Sequence, residues 1–377
     1  MTQAKPSRIL MIDLGDTMGG VEAYLEALSR VLSEGADLYA LCVMEELEQK
    51  LKACGVRVIR IPLFSKLRLL RFTVAAIGMI YLAMRYRIRV IQINGFFEST
   101  LLIPARLFGL RTVYTRHGPF EIDLFPWYRK PLKYIPRLLS RYLGHLASQV
   151  VCVSETVGSL YKPLLPPGKV AVIPNWITLL PTRKMPRLNE RGITHILCVG
   201  RLEKYKGVQL LIEAVRGLGG VQLTIVGEGA FRRELEKLAA GQPVRFAGFQ
   251  KDTFPFYRKA DIFVMPSLGP EGLPMVSLEA MSHMLPCIFS NLPVHAEITS
   301  GGDAALLFRC GDASDLRAKL LHLIECPDER ARLAENAYLA IQEKYDESVA
   351  RDAYLKAFAI VPLTHLEPVA YKGVPCR

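Results

Sequence analysis

The amino-acid sequence predicts an α/β protein built from two doubly wound parallel sheets, and three observations carry that expectation. Short apolar runs alternate with helix-periodic stretches along nearly all of the 377 residues, the pattern of strand–helix–strand units buried on both sheet faces. A Pro-rich, charged stretch without a period, PNWITLLPTRKMPRLNERG (174–192), interrupts the alternation near the middle. Glycines and charged residues follow the strands directly in both halves, at the edge where ligands of doubly wound sheets bind.

In the first half the strand candidates are ILMID (9–13), DLYALCV (37–43), VRVIRI (56–61), VIQI (90–93), TVYTR (112–116) and QVVCVS (149–154). In the second half they are HILCVG (195–200), VQLTIVG (221–227), VRFAG (244–248), DIFVMP (261–266) and PCIFS (286–290). Most are rich in β-branched or aromatic residues and end near Gly, Pro or polar residues. The expected domains are residues 1–180 and 190–344, joined by the aperiodic stretch as linker. A last helical pattern around Asp346 to Phe358 precedes Pro362 and an irregular tail to residue 377.

Half of the residues are hydrophobic, which excludes a disordered chain and allows two full cores. The eight cysteines (42, 54, 152, 198, 287, 310, 326 and 376) form no C-x-x-C pair, and several lie inside apolar runs such as VVCVS and ILCVG. Buried, reduced thiols are the expectation, rather than a disulfide framework or a zinc site. The start, MTQAKPSRILMIDLGD, enters a strand without a signal-peptide apolar region, so a cytoplasmic location is expected.

Charge is divided unevenly. Residues 1–190 hold 26 Lys/Arg against 14 Asp/Glu, whereas residues 191–377 hold 22 against 22. Within 57–141 the count is 16 basic to 3 acidic, which points to an anionic partner for the first half. Zinc-finger, RNP and KH signatures are absent, so that partner is not expected to be nucleic acid. The apolar run Phe72 to Met84 has Lys66, Arg68 and Arg71 before it and Arg85, Arg87 and Arg89 after it. It is too short to cross a bilayer, which takes about 20 residues. It reads as a core helix with solvated basic ends or as an interfacial element on anionic lipid. The similar mixture over Trp127 to Ala147 favours an anionic membrane surface, met peripherally from the cytoplasmic side.

The densest chemistry lies in ADIFVMPSLGPEGLPMVSLEAMSHMLPCIFSNLPVHAEI (260–298), read as strand, Pro/Gly-rich turn, helix, strand and helix start. Glu271 stands at the turn and Glu279 about a turn and a half into the helix. Pro274 is expected at the first helical position, where a missing N–H costs nothing. The amides of Met275 and Val276 then point out of the helix N-terminus, where an anion such as a phosphate is favoured. Carboxylates are acceptor-only groups suited to vicinal hydroxyls. The segment therefore offers an anion cradle between two hydroxyl-binding acids, as a nucleotide sugar requires. The plainer reading is that acids near a helix start only complement its dipole.

Elsewhere, CVGRLEKYKGVQLLIEAV places Arg201 just after a strand and Lys206 five residues later, before a helix. A planar fork and a point charge together suit a diphosphate. Gly15, Gly19 and Gly20 follow the first strand and open an amphipathic helix. Their spacing is neither a Walker A loop nor a dinucleotide fingerprint, but glycines allow close backbone approach to an oxyanion. His117 follows the fifth strand, in YTRHGPF, and Gly227 and Gly229 shape the turn in IVGEG.

Taken together these strings resemble the retaining glycosyltransferases of family 4 (glycosyl transferases group 1). The resemblance rests on Gly200-Arg201…Lys206-Gly207, on Glu271 and Glu279, on VIPNWI (172–177), on VGEG (226–229) and on GGVE (19–22). It covers about residues 9–300. Trp176 and Leu285 replace glycines usual in the family, and NLPVHAEI lacks its usual glycine pair. The resemblance implies the GT-B fold, two Rossmann-like domains facing a central cleft, with the last helix (about 345–377) crossing back onto the first domain. It implies a nucleotide-diphosphate sugar as donor and a glycan or lipid-linked acceptor. In those terms Arg201 and Lys206 hold the diphosphate, Glu279 the ribose, and Glu271 the donor sugar, which His117 faces. Gly19, Gly20, Met275 and Val276 line the donor site. No cofactor and no metal are expected, since the D-x-D of the other major glycosyltransferase fold is absent from the sequence. The alternatives are a nucleotide-sugar epimerase of GT-B fold or a non-catalytic, membrane-associated protein of glycan assembly.

Overall fold

The computed structural model describes residues 7–15, 19–33, 35–61, 68–95, 98–118, 141–179 and 192–358. Part of the first glycine loop (16–18), Lys66, most of the linker (180–191), residues 127–140 of the second basic stretch and the tail after 358 lie outside the described residues. Among the described residues the first sheet has seven strands: β1 (Ser7–Ile12), β2 (Ala36–Cys42), β3 (Arg57–Arg60), β4 (Val90–Asn94), β5 (Arg111–Arg116), β6 (Gln149–Cys152) and β7 (Val170–Val172). The second has β8 (Thr194–Val199), β9 (Val221–Val226), β10 (Val244–Gly248), β11 (Ile262–Met265), β12 (Cys287–Ser290) and β13 (Leu306–Phe308). The orders are β3-β2-β1-β4-β5-β6-β7 and β10-β9-β8-β11-β12-β13, with the strands of each sheet parallel. Strand order reverses between β1 and β4 and between β8 and β11, which opens a crevice at each carboxyl edge. All eleven predicted strands are present. The unpredicted β7 and β13 are three-residue edge strands, too short to display a period.

Alternation along the strands sorts the first core into two layers. Ile9 and Met11 face α1 (Gly20–Ser33) and α2 (Glu45–Ala53). Leu10 and Ile12 face α3 (Arg68–Tyr86), α4 (Leu102–Leu107) and α5 (Glu155–Tyr161). The second sheet is clad by α6 (Val208–Val215), α7 (Arg232–Leu238), α8 (Phe254–Lys259), α9 (Met275–Ser282), α10 (Pro293–Ile298), α11 (Ala313–Glu325) and α12 (Pro327–Lys344). The final helix, α13 (Glu347–Phe358), joins the first core instead: Ala350, Tyr354, Ala357 and Phe358 pack with Tyr24 and Trp176. The Tyr354 ring lies 4.9 Å from that of Trp176, and its hydroxyl donates to the Ile173 carbonyl at 3.4 Å. Trp176, where the family usually has glycine, thus fills the seam. Beside it the two chain crossings bond to each other, Ile177 N–H to Tyr345 O at 2.9 Å and Glu347 N–H to Ile177 O at 3.1 Å.

The carboxyl edges of the two sheets meet through named contacts. A Cβ on Gly272 would overlap the His117 carbonyl, Ser154 Oγ donates to Gly272 O at 2.8 Å, and Asn175 Nδ2 donates to Leu273 O at 2.9 Å. Glu297 of α10 accepts from the Glu155 and Thr156 amides at 2.8 Å each and from Thr156 Oγ1 at 2.6 Å.

α1 starts over a buried acid pair. Glu22, at the third helical position, accepts from the Gly19 N–H, the carboxylate half of a capping box. Asp13 accepts from the Gly15 N–H at 2.8 Å. The position of a Cβ on Gly15 is 3.0 Å from an oxygen of each acid, so the two carboxyls converge with only 4% and 6% exposure. Burial and then the Asp13 charge push the Glu22 carboxyl up to about 7, and burial raises Asp13 as well. The folded state therefore binds more protons than the unfolded chain between about pH 4.5 and 7, and stability falls as pH rises through that window. Glu22→Gln keeps an acceptor for the cap and cannot ionise, so it is expected to shallow that slope, Asp13 retaining a part of the same sign. Melting temperatures from pH 4.5 to 8 check this; parallel curves for variant and wild type would refute it.

Candidate functional site

The loop after β8 is drawn onto the loop after β11 by a glycine. Gly207 has φ 71°, and a Cβ there would run into the Pro266 carbonyl, so no other residue permits the approach. A 3₁₀ turn at Lys204–Lys206 ends on this glycine and directs Lys206 inward. Its Nζ lies 2.7 and 2.9 Å from the two oxygens of Glu271. Ser267 Oγ donates to the first of these oxygens at 2.7 Å. The paired side chains keep only 17% and 10% of their surface, so little water screens them. Arg201 stands apart from this pair: it is exposed and donates to the Tyr205 hydroxyl at 2.8 Å. Its positive field reaches Glu22 on the facing edge. Gly227 and Gly229 take the turn role read from sequence, with their backbones against the carbonyls of Gly200 and Leu202.

At α9 the structure corrects one expectation. Pro274 is the N-cap, with φ −69° and ψ 119°, and Met275 is the first helical residue. The proline's extended ψ keeps it outside the helix, while its carbonyl accepts from Ser277 and Leu278 N–H at 3.1 and 3.4 Å. The Met275 and Val276 amides precede the ladder and point out of the N-terminus, as expected of the first turn. Glu279, further along α9, accepts from the Tyr257 hydroxyl of α8 at 2.8 Å. Burial raises its carboxyl and the tyrosine bond partly offsets the rise. His283 Nδ1 lies 2.8 Å from the Glu279 carbonyl, and its ring stacks on Tyr257 at 5.1 Å.

On the facing edge, His117 follows β5 with Nε2 3.0 Å from Asn94 Oδ1 and its ring edge-on to Tyr24 at 4.5 Å. Burial, with Arg116 adding to it, drives the imidazole down to about 3, so it is neutral at ordinary pH. The Gly272 contact sets the Glu271 loop against this histidine. Gly19 and Gly20 are exposed at the start of α1, Gly19 close above Glu22. Sequence reading did not single out Ser267, Tyr257 or Asn94. Ser267 had a weak signal, four residues before Glu271 in PSLGPE. Tyr257 and Asn94 acquire partners only from other elements.

The site thus sets cations and a helix N-terminus beside two acceptor-only acids, at the switch point of one sheet and facing that of the other. Residues 18–179 match the family model described as Glycosyltransferase Family 4, and residues 193–326 match the one described as Glycosyl transferases group 1. The chain is 33% identical over 171 residues to the lipopolysaccharide core biosynthesis glycosyltransferase LpsE of Rhizobium meliloti, across 44% of this chain and 50% of that protein. It is 28% identical over 226 residues to LpsD of the same organism, across 58% and 66%. The matched part spans half to two thirds of the length of these relatives. Among solved structures, Anabaena HepE in complex with UDP and glucose superposes with a TM-score of 0.78 at 19% identity, covering 93% of this chain and 99% of that one. Sucrose-phosphate synthase from Thermosynechococcus elongatus gives 0.79 at 19%, covering 93% and 98%; likenesses at this identity are likenesses of fold. Two facing doubly wound sheets, each half matched by its own family model, make this chain a member of glycosyltransferase family 4 with the GT-B fold.

Proposed function

We propose that the protein is a retaining, metal-independent glycosyltransferase that moves a sugar from a nucleoside diphosphate donor to a glycan or lipid-linked acceptor in cell-surface glycan assembly. The observation that carries this reading is the Lys206–Glu271 pair, in the loops beside the N-terminus of α9. Arg201, Lys206 and the Met275 and Val276 amides take up the diphosphate charge as its bond to the sugar C1 breaks. Glu271 holds the sugar hydroxyls, Glu279 those of the ribose. The acceptor oxygen bonds to C1 from the same face, and its proton passes to the departing phosphate oxygen. The names of LpsE and LpsD, and the UDP and glucose bound by HepE, agree with this reading.

The direct test is a panel of nucleotide sugars screened by thermal shift, followed by incubation of the stabilising donor with EDTA and no acceptor. Slow release of free sugar is expected. An isomerised nucleotide sugar would replace the reading with an epimerase, and activity lost in EDTA and restored by a divalent cation would remove metal independence.

Calorimetry separates the roles of the side chains. Arg201→Ala or Lys206→Ala is expected to weaken nucleoside diphosphate binding by about 1–3 kcal/mol, the scale of charge-assisted hydrogen bonds. Glu279→Gln is expected to weaken it too. Because Lys206 is bound to Glu271, Glu271→Gln should bind the bare diphosphate at least as tightly as wild type while losing turnover. Equal losses of nucleotide affinity in both glutamine variants would contradict this division.

The first half supports peripheral attachment to an anionic membrane. α3 is a core helix on one side, through Ala75, Met79 and Leu82. On its other side Ile77, Tyr81 and Met84 are 64, 58 and 66% exposed, followed by exposed Arg85, Arg87 and Arg89. Leu107 and Phe108, at the end of α4 on the same sheet face, are also exposed beside Arg106. Arg71 does not join this surface: it is buried and donates to the Leu14 carbonyl at 2.9 Å. No helix among the described residues is long and apolar enough to cross a membrane. An apolar stripe rimmed by arginines suits the headgroup region, each cation contributing about 1 kcal/mol near an anionic surface. Sedimentation with anionic vesicles is expected at low salt and should diminish at high salt. Equal recovery in the supernatant with anionic and neutral lipid would remove the membrane from this account.

A further inference from the structure

His117 is held by a buried polar network that its neutrality alone does not require. β4 and β5 pair in parallel with Asn94 opposite Thr115, and Gln92 and Asn94, two residues apart, project to one face of the strand. Both are almost wholly buried, at 0 and 2% exposure. Their amides pair head to tail: Asn94 Nδ2 donates to Gln92 Oε1 at 3.1 Å, and Gln92 Nε2 donates to Asn94 Oδ1 at 2.6 Å. Gln92 Nε2 also donates to Thr115 Oγ1 at 3.2 Å, and the Tyr24 hydroxyl bonds that same oxygen at 3.3 Å. In this arrangement Asn94 Oδ1 faces His117 Nε2.

An amide oxygen can only accept, so Nε2 must carry the imidazole proton. A neutral ring has one donor and one acceptor nitrogen, which leaves the lone pair on Nδ1. The ring is half-buried and makes no other hydrogen bond among the described residues. The ring meets the Tyr24 ring and Asn94, and the charge of neighbouring Arg116 opposes a second proton.

We infer that Asn94, locked by Gln92, is a positioning residue that fixes the Nε2–H tautomer of His117, so that Nδ1 accepts a hydrogen bond from a hydroxyl of the donor sugar. The sugar partner rests on the function proposed above; the tautomer does not. Sugar hydroxyls are both donors and acceptors. Nδ1 engages one as a donor, as Glu271 does, and the site would then favour a donor sugar whose hydroxyl protons point at both acceptors. A ring protonated on both nitrogens would instead repel that hydroxyl proton.

Nitrogen-15 histidine spectra of the whole chain test the tautomer, with the His117 signals assigned by their loss in His117→Gln. The expected result is a protonated Nε2 and a bare Nδ1, unchanged from pH 5 to 8. A proton on Nδ1 would overturn the proposal whatever the activity. The second arm uses Asn94→Asp, whose carboxylate stabilises the doubly protonated ring. Turnover is expected to fall about tenfold at low pH, the size of one lost hydrogen bond, and to recover as pH rises, with nucleoside diphosphate affinity unchanged. A pH profile parallel to wild type, while the spectra show a doubly protonated ring, would also overturn it. Failure of every nucleotide sugar to react would defeat the reading of the cleft, and the spectra would still decide the tautomer.

Discussion

The approach of the Gly272 backbone to the His117 carbonyl sets the geometry on which the cleft depends. It brings the loop carrying Glu271 from the second sheet against the loop ending β5 of the first. The neighbouring bonds from Ser154 and Asn175 end on residues 272 and 273, so both sheets are referenced to one short stretch of chain. Any side chain at 272 would separate the edges, since backbone atoms on both sides cannot give as the end of a flexible side chain can. Glycine is therefore needed here for proximity, not for an unusual φ.

Behind that contact, burial decides what each charge can do. Lys206 and Glu271 satisfy each other, which removes the cost of two isolated charges in a poorly hydrated place. Arg201 keeps its solvent and donates to a tyrosine hydroxyl. On the proposed function, a diphosphate would meet one hydrated arginine and a lysine engaged by a carboxylate, and would compete with that carboxylate for the lysine. Glu279 and the Asp13–Glu22 pair show the other outcome of burial, where desolvation outweighs the bonds and charges that favour ionisation and pushes the carboxyls toward their neutral form.

Much of this was legible in the sequence because it is local. Strand runs such as VVCV and ILCV, the linker composition and the strand-end spacing of Arg201, Lys206, Glu271 and Glu279 are all properties of short windows. What escaped was set by contacts distant in sequence. Tyr257 reaches Glu279 from another helix, Asn94 meets His117 from a neighbouring strand, and Arg71 turns inward to a carbonyl 57 residues away. Edge strands β7 and β13 escaped for a different reason, three residues being too few to reveal alternation. Pro274 fell one position from its expected place because proline suits a cap as readily as a first turn: neither needs its N–H.

The packing of α13 bears on the order in which the molecule is made. Tyr354 and Phe358 close a wall of the first core, yet the chain builds the entire second sheet before it reaches them. During synthesis, residues from 194 to 344 can complete their own sheet and helices from contiguous chain. The first sheet, although translated earlier, leaves Tyr24 and Trp176 uncovered until the last helix emerges. The first half to be synthesised is consequently the last to be sealed, and its apolar seam is the surface a nascent chain must keep from aggregating in the interval.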